Sequence, residues 1–266
     1  MARRGPRAYA QPVLRIIDAR TGEPVDAAPA RRGLTRVEAH AVGHDTTALR
    51  VLLVADVLVR ALELGGTPVW ALLSGRGEQP ELRAGAAALG IRPFEDNRVS
   101  GTGMGEAQVL SVVDGTDAQD AAGTGADPDP ALRPRGVRVR VAPADPAATG
   151  IPEGTDPTVV RLALLSPSRT APVRLDTDAL DEARDTLVRW RRAVAGWARQ
   201  PSRAIPEDVR GELRAAWEND LDVPGVLRVL RRVETSELAE GARFETYAYA
   251  DRLLGVELTR DLGAPA

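Results

Sequence analysis

The stretch Thr46-Thr47-Ala48-Leu49-Arg50-Val51-Leu52-Leu53-Val54-Ala55-Asp56-Val57-Leu58-Val59-Arg60-Ala61-Leu62, closed by Gly65-Gly66 and followed by Thr67-Pro68-Val69-Trp70-Ala71-Leu72-Leu73, decides the fold. Leu49, Leu52, Leu53, Val57, Arg60 and Ala61 fall near one helical face. The run Val51 to Leu58 is apolar nearly all round, the pattern of a helix pressed against a sheet. The glycine pair stops that helix, and Thr67 to Leu73 reads as a buried strand. A strand over about Thr35 to Val42 precedes the helix, and Pro80 to Leu89 is a second helix closed by Gly90. Strand, helix, strand, helix in that order predicts a parallel α/β unit.

Upstream, Val13 to Asp18 reads as a short strand, and Thr21-Gly22-Glu23-Pro24 carries turn chemistry. Downstream, between about Val99 and Gly136, the composition shifts to Gly, Ala, Asp, Pro and Thr, with only Ala107 to Val113 apolar enough for a strand; Gly115 to Arg135 reads as a mobile linker. The alternation Val137-Arg138-Val139-Arg140-Val141 predicts a half-buried strand with two solvated arginines. After Asp156-Pro157 the periodicity turns helical. Leu180, Ala183, Leu187, Trp190, Val194 and Trp197 recur at three- and four-residue spacing, with Thr177 as the expected N-cap and Asp178 in the first turn. Pro201 ends that helix, and Pro206 to Trp217, Val223 to Val233 and Glu237 to Leu254 follow as three more. Two units are expected: an α/β domain over 1–145 and a helical bundle over 146–266.

The 266 residues, 43% hydrophobic, suffice for one or two soluble domains. No run approaches a membrane span, and the basic Met1 to Arg7 leads into Tyr9, Gln11 and Pro12 rather than an apolar segment, so a cytoplasmic protein is expected. Cysteine is absent, which excludes disulfides, thiolate ligands and a thiol nucleophile. Lysine is absent too, so all 35 basic residues are arginine and amine chemistry from a side chain is excluded. A formal charge of −3 gives no global attraction to nucleic acid.

Several strings carry a family resemblance. Val13 to Asp18 with Thr21 to Val25 is similar to the opening strand and turn of cysteinyl-tRNA synthetases, and Arg50 with Ala55 to Leu62 to their first Rossmann helix. Ala86 to Glu95 resembles that family's helix, glycine stop and Pro-rich exit. Asp156 to Ser166, Arg174 to Leu187 and Glu218 to Pro224 resemble the helical region behind its catalytic domain. In the family's order, these strings cover about two thirds of the chain. The resemblance is to the cysteine-activating class I ligases, the family of cysteinyl-tRNA synthetase and the mycothiol cysteine ligase. It implies an α/β fold: a truncated Rossmann-like domain of the class I synthetase (HUP) type, followed by an α-helical bundle.

Adenylation in that family needs cationic groups to steady charge on phosphate oxygens, supplied by a His-Ile-Gly-His string and a Lys-Met-Ser-Lys-Ser loop. Aligning on Arg50 and Asp56 without a gap puts Asp45-Thr46-Thr47-Ala48 at the first signature; a short gap brings in Ala41-Val42-Gly43-His44. Either register loses a histidine. Counting back from Asp156-Pro157 puts Gly136 to Arg140 at the second, where no lysine stands. Candidate ATP phosphate contacts are therefore His44, Thr46, Thr47, Arg138 and Arg140, with Thr46 and Thr47 opening a helix whose N–H groups can either hold an anion or simply be capped. The family grips the cysteine thiol through zinc on Cys, His and Glu; here only His40 and His44, with Glu38, offer such groups, and zinc is not expected. Gly101-Thr102-Gly103-Met104-Gly105 lacks the strand before and the Gly-Lys-Ser/Thr after that a phosphate loop needs. Asp114, Asp117, Asp120, Asp127 and Asp129 lack calcium-loop spacing. Arg189, Arg191 and Arg192, on a helix that also holds Arg184 and Arg199, are candidate tRNA contacts.

Three functional readings follow from the residues and the resemblance. The first is a synthetase-like binding or regulatory protein without cysteine–tRNA ligase activity, its partner a protein, a nucleotide or an amino acid. The second is a residual ATP-dependent ligase for another amino acid, and the third a tRNA-binding module.

Overall fold

The computed structural model describes residues 13–28, 34–75, 79–96, 108–115, 134–145 and 154–263. Five short apolar runs pair side by side: β3 (Thr35–His40), β4 (Val69–Ser74), β5 (Glu95–Asp96), β6 (Val109–Asp114) and β7 (Val137–Val141). Every pairing is parallel, in the order β5-β4-β3-β6-β7. Counted within the sheet this is 3-2-1-4-5, the order of a doubly wound fold, and its direction reverses between β3 and β6. A separate antiparallel pair, β1 (Arg15–Ile17) with β2 (Pro24–Asp26), precedes it. Neither β2 nor β5 is anticipated by the hydrophobic pattern; each is two or three residues long and largely exposed, so it leaves no periodicity to read.

Helix α1 (Thr46–Leu64) is buried on almost every side, as its unbroken apolar run requires. It lies on the face of the sheet made by Val37, Ala39, Leu73, Leu110, Val139 and Val141, all in one core with Val51, Leu53 and Leu58. Its N-cap is Asp45, whose side chain accepts from the Ala48 N–H at 2.8 Å, so neither Thr46 nor Thr47 is the cap. A carboxylate one residue earlier reaches the free N–H groups and also favours the positive helix end. Helix α2 (Pro80–Ala88) follows β4, with Gly90 at φ 67° just beyond it.

The C-terminal half comprises α3 (Pro157–Leu165), α4 (Thr177–Trp197), α5 (Glu207–Glu218), α6 (Val223–Glu234) and α7 (Glu240–Leu254). The cap of α4 is Asp176, accepting from Ala179 N, rather than Thr177; the aspartate sits one position nearer the turn. The α4 stripe follows the predicted one: Ala183, Leu187, Trp190, Val194 and Trp197 are buried, and Leu180, in the first turn, is half-buried against the core. Trp190 and Trp197 both meet Tyr247 of α7 edge-on, at centroid distances of 5.6 and 5.1 Å, while the Tyr247 hydroxyl donates to the Leu230 carbonyl of α6. Edge-to-face rings add to the area they bury, so one aromatic node ties three helices.

Sheet and helices share one apolar core, and an ionic lattice crosses it. Asp56 of α1 is 1% exposed and accepts from Arg60 (2.8 Å), Arg92 (3.1 Å) and Arg161 of α3 (2.7 Å). Arg161 also donates to the carbonyls of Leu89 and Leu254, joining the ends of α2 and α7. Gly255 closes α7 at φ 62°, and a Cβ there would stand 2.9 Å from the Arg161 guanidinium. Gly255→Ala is expected to cost about 2 kcal/mol, from left-handed strain and from displacing Arg161; urea unfolding checks it, and an unchanged midpoint would show that the lattice yields freely.

The readings of Gly101 to Gly105, of Asp117, Asp120, Asp127 and Asp129, and most of the expected linker lie outside the described residues. Arg135, at that linker's far end, is tied to β6 through reciprocal hydrogen bonds between its backbone and Ser111 Oγ. No helix among the described residues is long and apolar enough to cross a membrane.

Candidate functional site

In a doubly wound sheet, ligands settle outside the carboxyl ends of the strands where the order reverses. Here that crevice lies beyond His40 of β3 and Asp114 of β6, and the loop Ala41 to Asp45 leads from it into α1. Gly43 turns the loop at φ 80°. His44 and Asp45 are exposed, Thr46 is buried, and Thr47 is partly covered. The Thr47 hydroxyl is committed to the loop after β7, accepting from Ala144 N at 3.1 Å and lying 3.3 Å from its carbonyl oxygen. The start of α1 is therefore pinned to the far side of the crevice. Its charge is that of the Asp45 carboxylate.

The face of the sheet turned away from α1 is polar. Cross-strand register sets Ser74, His40, Val113 and Arg140 in one row, and Leu72, Glu38, Ser111 and Arg138 in the row behind. A parallel sheet normally carries apolar residues on both faces, so this lining is unusual. Glu38 and His40 are buried at 3% and 6% exposure. Glu38 accepts from Arg36 at 2.6 Å and stands 3.6 Å from His40 Nε2, which has no hydrogen-bond partner among the described residues. His44, on the exposed loop, is not part of this pair. No group of three or more His, Asp or Glu among the described residues is placed to hold a metal ion.

Alternation along β7 puts Val139 and Val141 in the core and Arg138 and Arg140 on the polar face, the first half-buried and the second exposed. His44, Thr46 and Thr47 thus gather at the start of α1, while Arg138 and Arg140 project from the opposite face of the sheet. They are not brought together on one surface.

No protein-family model matches the chain. Three curated proteins named L-cysteine:1D-myo-inositol 2-amino-2-deoxy-alpha-D-glucopyranoside ligase are similar to it. That of Streptomyces scabiei is 36% identical over 111 residues, 40% of this chain and 26% of the relative. That of Streptosporangium roseum is 38% identical over 108 residues, 39% of this chain and 26% of the relative. That of Kytococcus sedentarius is 38% identical over 122 residues, 40% of this chain and 28% of the relative. Over this stretch the chain is a partial homologue of the cysteine ligase. The match spans about a quarter of the relatives' own length and about two fifths of this chain, against the two thirds expected from the strings that resemble the wider family.

The arginines of α4 divide three ways. Arg191 is 7% exposed and its donors are taken by Thr158 Oγ1 and the carbonyls of Val256 and Glu257, with Asp156 at 3.7 Å. Arg189 donates to Glu234 at 2.8 Å. Arg192 alone of the three is exposed with no ion pair among the described residues. The Asp156 carboxyl caps α3 and receives Arg260; burial pushes it up, but the Thr158 and Arg260 hydrogen bonds outweigh that and hold it at about 2.

Sequence reasoning aligned Asp45 with the first signature but gave the cap to the threonines after it, although an aspartate directly before a helical run is the usual sign of a cap. It also passed over the polar sheet face, whose Arg36, Glu38 and His40 share a strand at period two with Val37 and Ala39.

Proposed function

We propose that this chain is a binding protein built on the cysteine-ligase scaffold, and that it does not adenylate cysteine. The observation that carries the reading is Asp45: its carboxylate fills the N-terminus of α1, at the mouth of the crevice, where a phosphate-binding helix would present free N–H groups. A negative charge there opposes the polyphosphate that adenylation must hold and expel. The chain has no lysine to compensate, and Arg138 and Arg140 stand on the other face of the sheet. The partial homology supports a scaffold shared with the ligases, while the residues at the crevice support binding without chemistry.

ATP–pyrophosphate exchange with the purified chain, run over the twenty amino acids, tests this. No exchange above the protein-free rate is expected, and exchange with cysteine or any other amino acid would overturn the reading in favour of a working ligase. Asp45→Asn keeps a good cap but removes the charge, so stability should stay within about 0.5 kcal/mol. Affinity for ATP or pyrophosphate should rise about fivefold, from the ~1 kcal/mol that a like charge at about 4 Å costs in water. Unchanged anion affinity in that variant would show that Asp45 does not guard the crevice.

A further inference from the structure

Between α3, α4 and α6 lies a cavity of about 150 Å³, remote in sequence from every residue of the crevice. Its walls are apolar: Leu162, Val173, Ala183, Trp190 and Leu227. A cavity of this size and lining is large enough for a benzene-sized group. Thr186 also lines it. That residue is 6% exposed, and among the described residues its hydroxyl makes no hydrogen bond, unlike those of Ser166 and Thr246, which bond to the helix carbonyl one turn back. The oxygen is not among the sealed, unpartnered atoms of the interior, so it is open to the cavity and can bond to a molecule that enters it.

The mouth is charged. Arg174 and Arg231 border the cavity with side chains 80% and 47% exposed, and among the described residues each has only a long ion pair, to Asp145 at 3.8 Å and to Glu182 at 3.9 Å. Of the ionic side chains that line it, two are guanidiniums and one, Glu182, is a carboxylate. Guanidiniums held this loosely keep their donors available for a planar anion.

We propose that this cavity binds a small monocarboxylate whose hydrocarbon part is about the size of a phenyl ring or a five-carbon chain. The hydrocarbon displaces water from the apolar walls, Thr186 Oγ hydrogen-bonds to the ligand, and the carboxylate emerges between Arg174 and Arg231. The inference goes beyond the reading of the crevice, since it involves neither ATP nor Asp45; pyrophosphate exchange would sink that reading and leave this one standing.

Titration calorimetry and ligand-observed NMR of the full chain with phenylacetate and hexanoate, without nucleotide, test it. Both acids should bind saturably, and phenylacetamide and hexanol at least tenfold more weakly. Arg174→Gln with Arg231→Gln should weaken the acids at least tenfold while leaving the neutral analogues unchanged. Thr186→Val, nearly isosteric, should weaken all four, and Ala183→Leu, which fills the cavity, should abolish binding. Circular dichroism and the melting temperature of each variant show whether it is folded, and the comparison of acid with neutral analogue on the unaltered chain needs no variant at all. Absence of saturable binding by both acids, equal binding of acid and neutral analogue, or undiminished binding to a folded Ala183→Leu chain would each overturn the proposal.

Discussion

Asp56→Ala is expected to destabilise the protein by about 3–5 kcal/mol, because it strips the carboxylate from Arg161, which is fully buried, and leaves that charge uncompensated. Arg60 and Arg92 also lose their shared partner, but both are partly exposed and turn to water at little cost. Urea unfolding at neutral pH measures the effect. A loss under about 1 kcal/mol would show that Arg161 finds another anion. Asp251 is the nearest alternative, but its carboxyl is already occupied by the N–H groups of Val256 and Leu258.

The same residue sets a pH dependence. Burial pushes the Asp56 carboxyl up, but the charges and hydrogen bonds of Arg161 and Arg60 outweigh that and hold it below the ordinary aspartate value. The unfolded chain, with Asp near 3.9, therefore takes up this proton first as pH falls. The stabilisation from Asp56 is complete above about pH 4 and is lost as pH drops through the folded value. The stability difference between the unaltered chain and Asp56→Ala should accordingly shrink in acid, and a constant difference from pH 7 to pH 3 would remove Asp56 as the cause.

Asp56 also marks where reading the sequence stops. The order of elements was legible because each is long and its period clear: α1 as a nearly unbroken apolar run, α4 as a stripe from Ala183 to Trp197, β7 as strict alternation. Those signals are local, decided by which face of one element meets the core. The partner of Asp56 is Arg161, 105 residues away, and no local rule couples them. Hence Arg50, Asp56 and Arg60, which carry much of the resemblance to the ligases, read naturally as neighbours of a catalytic signature. In the fold they are scaffold, fastening α1 to the helices behind it. The crevice was half legible: the Thr46–Thr47 helix start was visible, but which face of β7 held its arginines relative to α1 depends on sheet register, a tertiary fact.

Arg50→Met should cost about 3 kcal/mol, for a reason different from Asp56. Arg50 is 0% exposed and has no carboxylate partner among the described residues; its Nη1 donates to the carbonyls of Ala142 and Ala171 at 2.7 Å each, and its Nη2 to that of Ser168 at 2.9 Å. One guanidinium thus holds the loop after β7 and the turn after α3 against α1, supplying donors to the Ala142 and Ala171 carbonyls and a second donor to that of Ser168, which already accepts from Ala171 N. Burial pushes it down to about 10, so it remains charged at neutral pH and binds those carbonyls through charge-assisted hydrogen bonds. Methionine fills much of the volume but donates nothing, leaving the carbonyls of Ala142 and Ala171 short at about 1–3 kcal/mol each, while that of Ser168 keeps the Ala171 N–H; the loss is offset in part because no charge is buried any longer. Arg50→Lys separates the two contributions. It keeps the charge but offers a single nitrogen in place of a planar fork, so it cannot reach loop and turn together. If geometry governs, lysine should recover less than half of the loss measured for methionine by urea unfolding; if full stability returned, buried charge alone would be what the site requires.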